Sequence, residues 1–228
     1  MTDPLAGSAW SAPGTVAGFV RSPPNPVLVR FAELEARRAP GGRVLDIGCG
    51  AARNAVPLAE AGWQVTGTDL SWPMLVAAMT RARDAGVEDR CHVALAAMDR
   101  LPLADRSADL VVAHGIWNLA RSAEEFRRGV QEAARVARPG AGLFVFTFSR
   151  HTLPPEARPV EGESFVFTDF SGQPQCFLTE AELVAELAAH GFVPDQAVPL
   201  TEYNRPGPGT RVAGAPVIYE AGFRRVAG

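Results

Sequence analysis

The sequence predicts an α/β fold, a doubly wound and mostly parallel sheet, and three observations carry that expectation. Short β-branched and apolar runs alternate with alanine-rich, helix-like stretches between residues 43 and 148. The stretch RVLDIGCGAARNAVPLAE, residues 43–60, changes from strand to helix across Gly48-Cys49-Gly50. Polar turns follow the runs that end at Asp69 and Ala113, at the sheet edge where open α/β proteins bind ligands.

Composition sets the outer bounds. A chain of 228 residues with 47% hydrophobic residues suits one large domain, or a domain with a modest insertion. A formal net charge of −3 offers no basic field for nucleic acid or an anionic membrane. All 22 basic residues are arginine, so lysine catalysis is excluded. No apolar run reaches the roughly 18–20 residues of a membrane span, and the N-terminus lacks a signal-peptide layout, so a cytoplasmic protein is expected. Cys49, Cys91 and Cys176 are far apart and lack metal-ligand spacing, which predicts reduced, buried thiols.

Residues 1–30 are rich in Gly, Ala, Ser and Pro, with Trp10, Val16, Phe19 and Val20 as isolated apolar points; they read as a flap docked on the main domain or as a partly ordered segment. A helix is expected over 31–38, stopped by the punctuation at 39–42. The glycine turn lets a ligand approach the backbone and precedes a helix N-terminus, a cradle for a nucleotide or nucleoside. Arg53 stands where a dinucleotide site needs a small residue, and Asp46, at the strand end, would repel a pyrophosphate but attract an amino or sulfonium group. Pro57 predicts that the following helix kinks or begins late.

A second strand over 63–69 ends in Asp69, 19 residues beyond Gly50, the spacing of an acid that meets ribose hydroxyls; a helix-capping role before Ser71-Trp72-Pro73 is the alternative. Strands are further expected over 90–96, 109–113 and 143–148. Ser122 with Glu125, and Thr179 with Glu182, mark capping boxes for two helices. The proline- and glycine-rich stretch 149–178 reads as an insertion in a domain spanning 31–228. Residues 192–203 and 215–223 read as a closing antiparallel pair joined by a flexible 204–209.

The run Asp46-Ile47-Gly48-Cys49-Gly50, the acid Asp69, the Met98-Asp99 element and the Arg138-Pro139-Gly140 turn together resemble the class I S-adenosylmethionine-dependent methyltransferases. Gly48 to Ala55 is similar to small-molecule enzymes of the thiopurine and tellurite-resistance type. The resemblance implies a seven-stranded sheet of order 3-2-1-4-5-7-6 with the last strand antiparallel. It implies S-adenosylmethionine, leaving S-adenosylhomocysteine, held by Asp46, Gly48, Cys49, Gly50, Arg53, Asn54, Asp69, Leu70, Met98, Asp99 and His114. Methyl transfer to O, N or S of a metabolite or natural product follows, with the insertion covering the substrate. His114 is the leading candidate for a base or orienting group and His151 the second; Trp117 and Asn118 join them on the acceptor side. The stretch Ala113-His114-Gly115-Ile116 replaces the Asn/Asp-Pro-Pro-aromatic motif of base-methylating enzymes, and no acidic pair suggests a metal. A monomer or homodimer without nucleic-acid or membrane partners is expected. A non-catalytic cofactor-binding protein is the alternative reading, and an NAD-linked dehydrogenase a distant third.

Overall fold

The computed structural model describes residues 2–205 and 215–226. Five parallel strands form its centre: β1 (Arg43–Ile47), β2 (Gln64–Asp69), β3 (Cys91–Leu95), β4 (Ala108–His114) and β5 (Ala137–Phe148). A separate hairpin, β6 (Val166–Phe167) with β7 (Gln175–Cys176), belongs to the insertion. Two short strands, β8 (Phe192–Pro194) and β9 (Thr201–Tyr203), pair antiparallel with β10 (Ile218–Arg225), which pairs antiparallel with β5. The order β3-β2-β1-β4-β5-β10-β8 is the expected one, with β10 as the seventh strand and β8 and β9 sharing the place of the sixth.

Period-2 alternation feeds two cores. Along β1, Val44 and Asp46 face one side and Leu45 and Ile47 the other, and all four are buried. On the Val44 side lie α2 (Pro26–Arg38), α3 (Ala55–Glu60) and α4 (Trp72–Asp84), through Leu28, Phe31, Leu58 and Ala78. On the Leu45 side lie α5 (Ala123–Val136) and α6 (Glu180–Ala189), through Phe126, Val130, Leu183 and Leu187. Each such fully buried Leu, Val or Phe stabilises the fold by about 1.5–3 kcal/mol relative to exposure. A further helix, α1 (Pro13–Arg21), packs on α4.

Three local details depart from the expectations. The helix expected over 31–38 begins at Pro26, because the Asn25 side chain accepts from the N–H groups of Val27 and Leu28 (2.9 and 3.0 Å) and Pro26 needs no acceptor. The boundary expected between residues 30 and 31 therefore falls inside α2. Helix α3, by contrast, begins late as Pro57 led one to expect, at Ala55, which puts Pro57 in the first turn where its missing N–H has no intrahelical role. Pro139-Gly140 bulges from β5 instead of preceding it: Ala108 pairs with Ala137, yet Leu110 pairs with Gly142. Finally, the strand expected over 192–203 is broken in two, as the Asp195 carboxylate accepts from Ala197 N–H (2.8 Å) and from the Arg224 guanidinium. Residues 206–209 of the expected flexible join lie outside the described residues.

The Thr179–Glu182 capping box is complete. At α5 only half of one forms: Ser122 Oγ accepts from Glu125 N–H (3.0 Å), while the Glu125 carboxylate takes the N–H of Arg121 (2.7 Å). The insertion is tied to the segment between β4 and α5 by Cys176 Sγ on the Ala120 carbonyl (3.4 Å) and by Glu163, which caps Ala123 N–H at the start of α5 (2.8 Å). Among the described residues no helix is long and apolar enough to cross a membrane.

Candidate active site at the carboxyl ends of the strands

Gly48 and Gly50 both adopt positive φ (68° and 53°), so the chain turns sharply between β1 and α3. A Cβ on Gly48 would lie 2.8 Å from Ile116 Cδ1, and one on Gly50 would lie 3.2 Å from Phe19 Cδ1. Ile116 from beyond β4 and Phe19 from α1 thus close over the loop. Cys49 points the other way: its Sγ sits 2.7 Å from where a Cβ on Gly67 would stand, so Gly67 makes room for it. Burial first, then the charges of Asp46 and Asp69, push the Cys49 thiol up.

Asp46 is almost fully buried, and its Oδ2 has no hydrogen-bond partner among the described residues. Burial pushes its pKa up to about 7; the charge of Arg53 opposes this and that of Asp69 adds to it. A buried, unpartnered carboxylate beside a glycine cradle is built to receive a cation or an N–H donor. Asp69 closes the other side of the loop. Its Oδ2 accepts from Gly50 N–H (2.9 Å) and its Oδ1 from Ser71 N–H (2.8 Å), leaving one lone pair on each oxygen for hydroxyl donors. Burial raises its pKa against these hydrogen bonds. Asp69 therefore shapes the turn into α4, while Ser71, through its own hydroxyl, caps that helix.

His114 ends β4 on the same face as Asp46. Its ring stacks on Phe146 at 4.2 Å, its Nε2 meets Asn25 Nδ2 at 3.1 Å, and Arg53 Nη2 lies 3.1 Å from its Nδ1. Burial, with help from the Arg53 charge, pushes its pKa down to about 3. The imidazole is neutral and enclosed. Asn25 is the hub of this cluster: its backbone N–H donates to Asn54 Oδ1 (2.9 Å), and its side-chain amide also donates to Glu220 on β10.

His151 lies elsewhere, in the helical turn Arg150–Thr152 just past β5. Its Nδ1 is 2.7 Å from Glu202 Oε1 on β9, and its Nε2 has no hydrogen-bond partner among the described residues. The side chain is 43% exposed, so the free nitrogen is open to a ligand. Burial raises the Glu202 pKa, but hydrogen bonds from Ser149 and His151 outweigh this and hold it below the ordinary value. Glu202 stays ionised and fixes the ring.

The structure thus joins Asp46, Gly48, Gly50, Arg53, Asn54, Asp69 and His114 into one cluster. Leu70 follows Asp69 at its rim, half-buried. Met98 and Trp117 sit in the α5-side core, beside Gly129. Trp117 is fully buried against Phe126, behind the site and not on its surface; Asn118 is buried with Oδ1 unpartnered among the described residues. Asp99 pairs with Arg128 on α5 (3.3 Å). Three site residues escape a sequence reading: Asn25, Glu202 and Glu220. Asn25 before Pro26 does carry a helix-start signal; the two glutamates lie within strands and carry none.

A glycine loop beside an orphaned carboxylate, with a second acid at the next strand end, defines an α/β domain for a nucleoside that carries a positively charged or amino-bearing group. Known proteins narrow this class. Residues 44–140 match the methyltransferase domain family. The chain is 30% identical to the demethylmenaquinone methyltransferase of Corynebacterium glutamicum (strain ATCC 13032), over 67% of this chain and 68% of that protein. It is also 30% identical to a ubiquinone biosynthesis O-methyltransferase of Azorhizobium caulinodans, over 83% and 78%. Its fold matches the crystal structure of Burkholderia thailandensis 1,6-didemethyltoxoflavin-N1-methyltransferase with bound 1,6-didemethyltoxoflavin and S-adenosylhomocysteine. That match has a TM-score of 0.64 and 20% identity, covering 87% of this chain and 78% of that one. The chain belongs to the class I S-adenosylmethionine-dependent methyltransferases and acts on a small-molecule acceptor.

Proposed function

We propose that the protein methylates a hydroxyl of an aromatic small molecule, with His151 as the general base. The observation that carries this reading is the Glu202-held imidazole at the end of β5, oriented through Nδ1 with Nε2 free. Bound S-adenosylmethionine supplies a methyl group already activated on a sulfonium, so the protein's task is placement, exclusion of water and removal of one proton. The acceptor hydroxyl would give that proton to His151 Nε2 as its oxygen takes the methyl carbon and the carbon–sulfur bond breaks, leaving S-adenosylhomocysteine.

Asp46 fits the amino group of the cofactor's methionine end, because its buried Oδ2 has no other partner among the described residues. Asp69 suits the ribose hydroxyls, and Met98 and Asp99 the adenine. His114, neutral and enclosed, is an orienting wall in this arrangement. Contacts of the N-terminal segment support its role as a cover for the cofactor: Phe19 lies on Gly50, Asp3 accepts from Trp72 N–H (3.1 Å) and Ser11 Oγ meets Ser71 Oγ (2.9 Å). The insertion covers the acceptor. Its Phe170, 45% exposed, packs edge-on to Phe148 at 5.3 Å, offering an aromatic edge beside β5.

A direct assay is incubation with S-adenosylmethionine and a panel of hydroxynaphthalenes, the products being read by mass spectrometry and NMR. An O-methyl ether is expected, formed far more slowly by His151→Gln. Methylation at ring carbon would overturn the O-methyl reading, and a His151→Gln enzyme of full rate would overturn the base assignment.

A further inference from the structure

A cavity of about 350 Å³ lies on the α2 face of the sheet, between α2 and the segment that ends in β9. Val27, Phe31 and Pro199 give it apolar walls; Arg30, Thr201, Tyr203 and Glu220 are its polar groups. Glu220 is 6% exposed, and one of its oxygens accepts from Asn25 Nδ2. No arginine or histidine among the described residues lies within ion-pair distance of it. A desolvated carboxylate served by neutral donors alone retains most of its attraction for a cation. Tyr203 faces the same carboxylate: burial first, then the Glu220 charge, raises the phenol, which stays protonated. Arg30, half-buried on the cavity wall, has no acidic partner within ion-pair distance among the described residues, so a ligand with a second positive charge meets repulsion there.

We propose that this cavity binds a small molecule carrying a single ammonium group on an apolar or aromatic body, with Glu220 as its counter-ion. The site is separate from the glycine loop and does not depend on the role of His151. Asn25 joins the two regions, since one amide contacts both Glu220 and His114. Apolar walls on either side suit a ring or a short branched chain, and the volume suits a ligand of metabolite size.

Calorimetric titration of the full chain with 2-phenylethylamine tests the proposal, with 2-phenylethanol as the uncharged counterpart and 1,4-diaminobutane as the doubly charged one. The amine should bind saturably, at least tenfold more tightly than either control. Glu220→Gln should weaken it tenfold or more. Thr201→Trp, which fills the cavity while retaining the carboxylate, should abolish binding and melt near the wild-type temperature; it decides the matter if Glu220→Gln folds poorly. Equal affinity for amine and alcohol, binding undiminished in both variants, or no binding to the wild-type chain would each overturn the proposal.

Discussion

At the end of β4, His114 is sealed between Phe146, Arg53 and Asn25, while His151, just past the end of β5, is 43% exposed and leans on one carboxylate. The side chain is the same and the surroundings are opposite. Burial and a neighbouring cation make one ring a neutral wall with a pKa of about 3; a carboxylate at Nδ1 and an open Nε2 give the other the geometry of a base. The difference extends to the sheet as a whole. Its β1–β2–β4 side carries the glycine cradle, whereas the β5–β9 side carries the exposed imidazole and the insertion.

The sharpest way to break this contrast is to exchange the two roles. His151→Gln should lower kcat by about 10²–10⁴-fold, the usual contribution of a positioned base, with the Kd for S-adenosylmethionine unchanged. His114→Gln should leave kcat within about tenfold; the reverse ranking in steady-state kinetics would exchange the assignments. Next in size is Asp69→Asn, which removes charged acceptance of ribose hydroxyls worth about 1.5–3 kcal/mol. Calorimetry should then read a Kd for S-adenosylmethionine roughly 10–100-fold weaker.

A pH titration sharpens the cradle side. The native pKa of Asp46, about 7, lies above its ordinary 3.8, so the folded chain binds this proton more tightly between those values. Ionising Asp46 therefore costs stability as pH rises through that window, and a cationic or N–H partner offsets the cost. Affinity for S-adenosylmethionine should rise by up to about tenfold per pH unit below 7 and level off above it. Asp46→Asn should flatten this dependence; a wild-type Kd already flat from pH 5.5 to 8 would show that Asp46 does not pair with the cofactor. The smallest effect is a control at the start of α6. Thr179→Ala, which opens the capping box of α6, should cost about 1 kcal/mol in thermal unfolding and leave kcat/KM alone.

Much of the fold was legible because its signals are local. The glycine turn, the capping pair at Thr179 and Glu182, and the period changes between residues 43 and 148 each occupy one short window. The same holds for Asp46 and Asp69, which sit at strand ends. What was not legible depends on distant pairing. The break after Pro194 is made by Asp195 reaching Arg224, and the partner that orients His151 comes from Glu202 on β9. Burial was equally hard to read: Trp117 stands one turn past a strand end, where a ligand wall is expected, yet the packing of α5 encloses it. The sequence placed a helix over 31–38, but its true start follows from Asn25 and Pro26, a cap signal hidden inside a stretch whose composition reads as loop.

The three thiols have a consequence of a different kind. Cys49 is packed on Gly67 beneath the glycine loop, Cys91 lies at the head of β3, and Cys176 is held under Ala120 in the insertion; burial raises the pKa of each. None can react as a thiolate until its own region opens. A thiol-specific reagent is therefore a stopwatch with three hands, timing separately how often the cradle, the sheet edge and the insertion come apart.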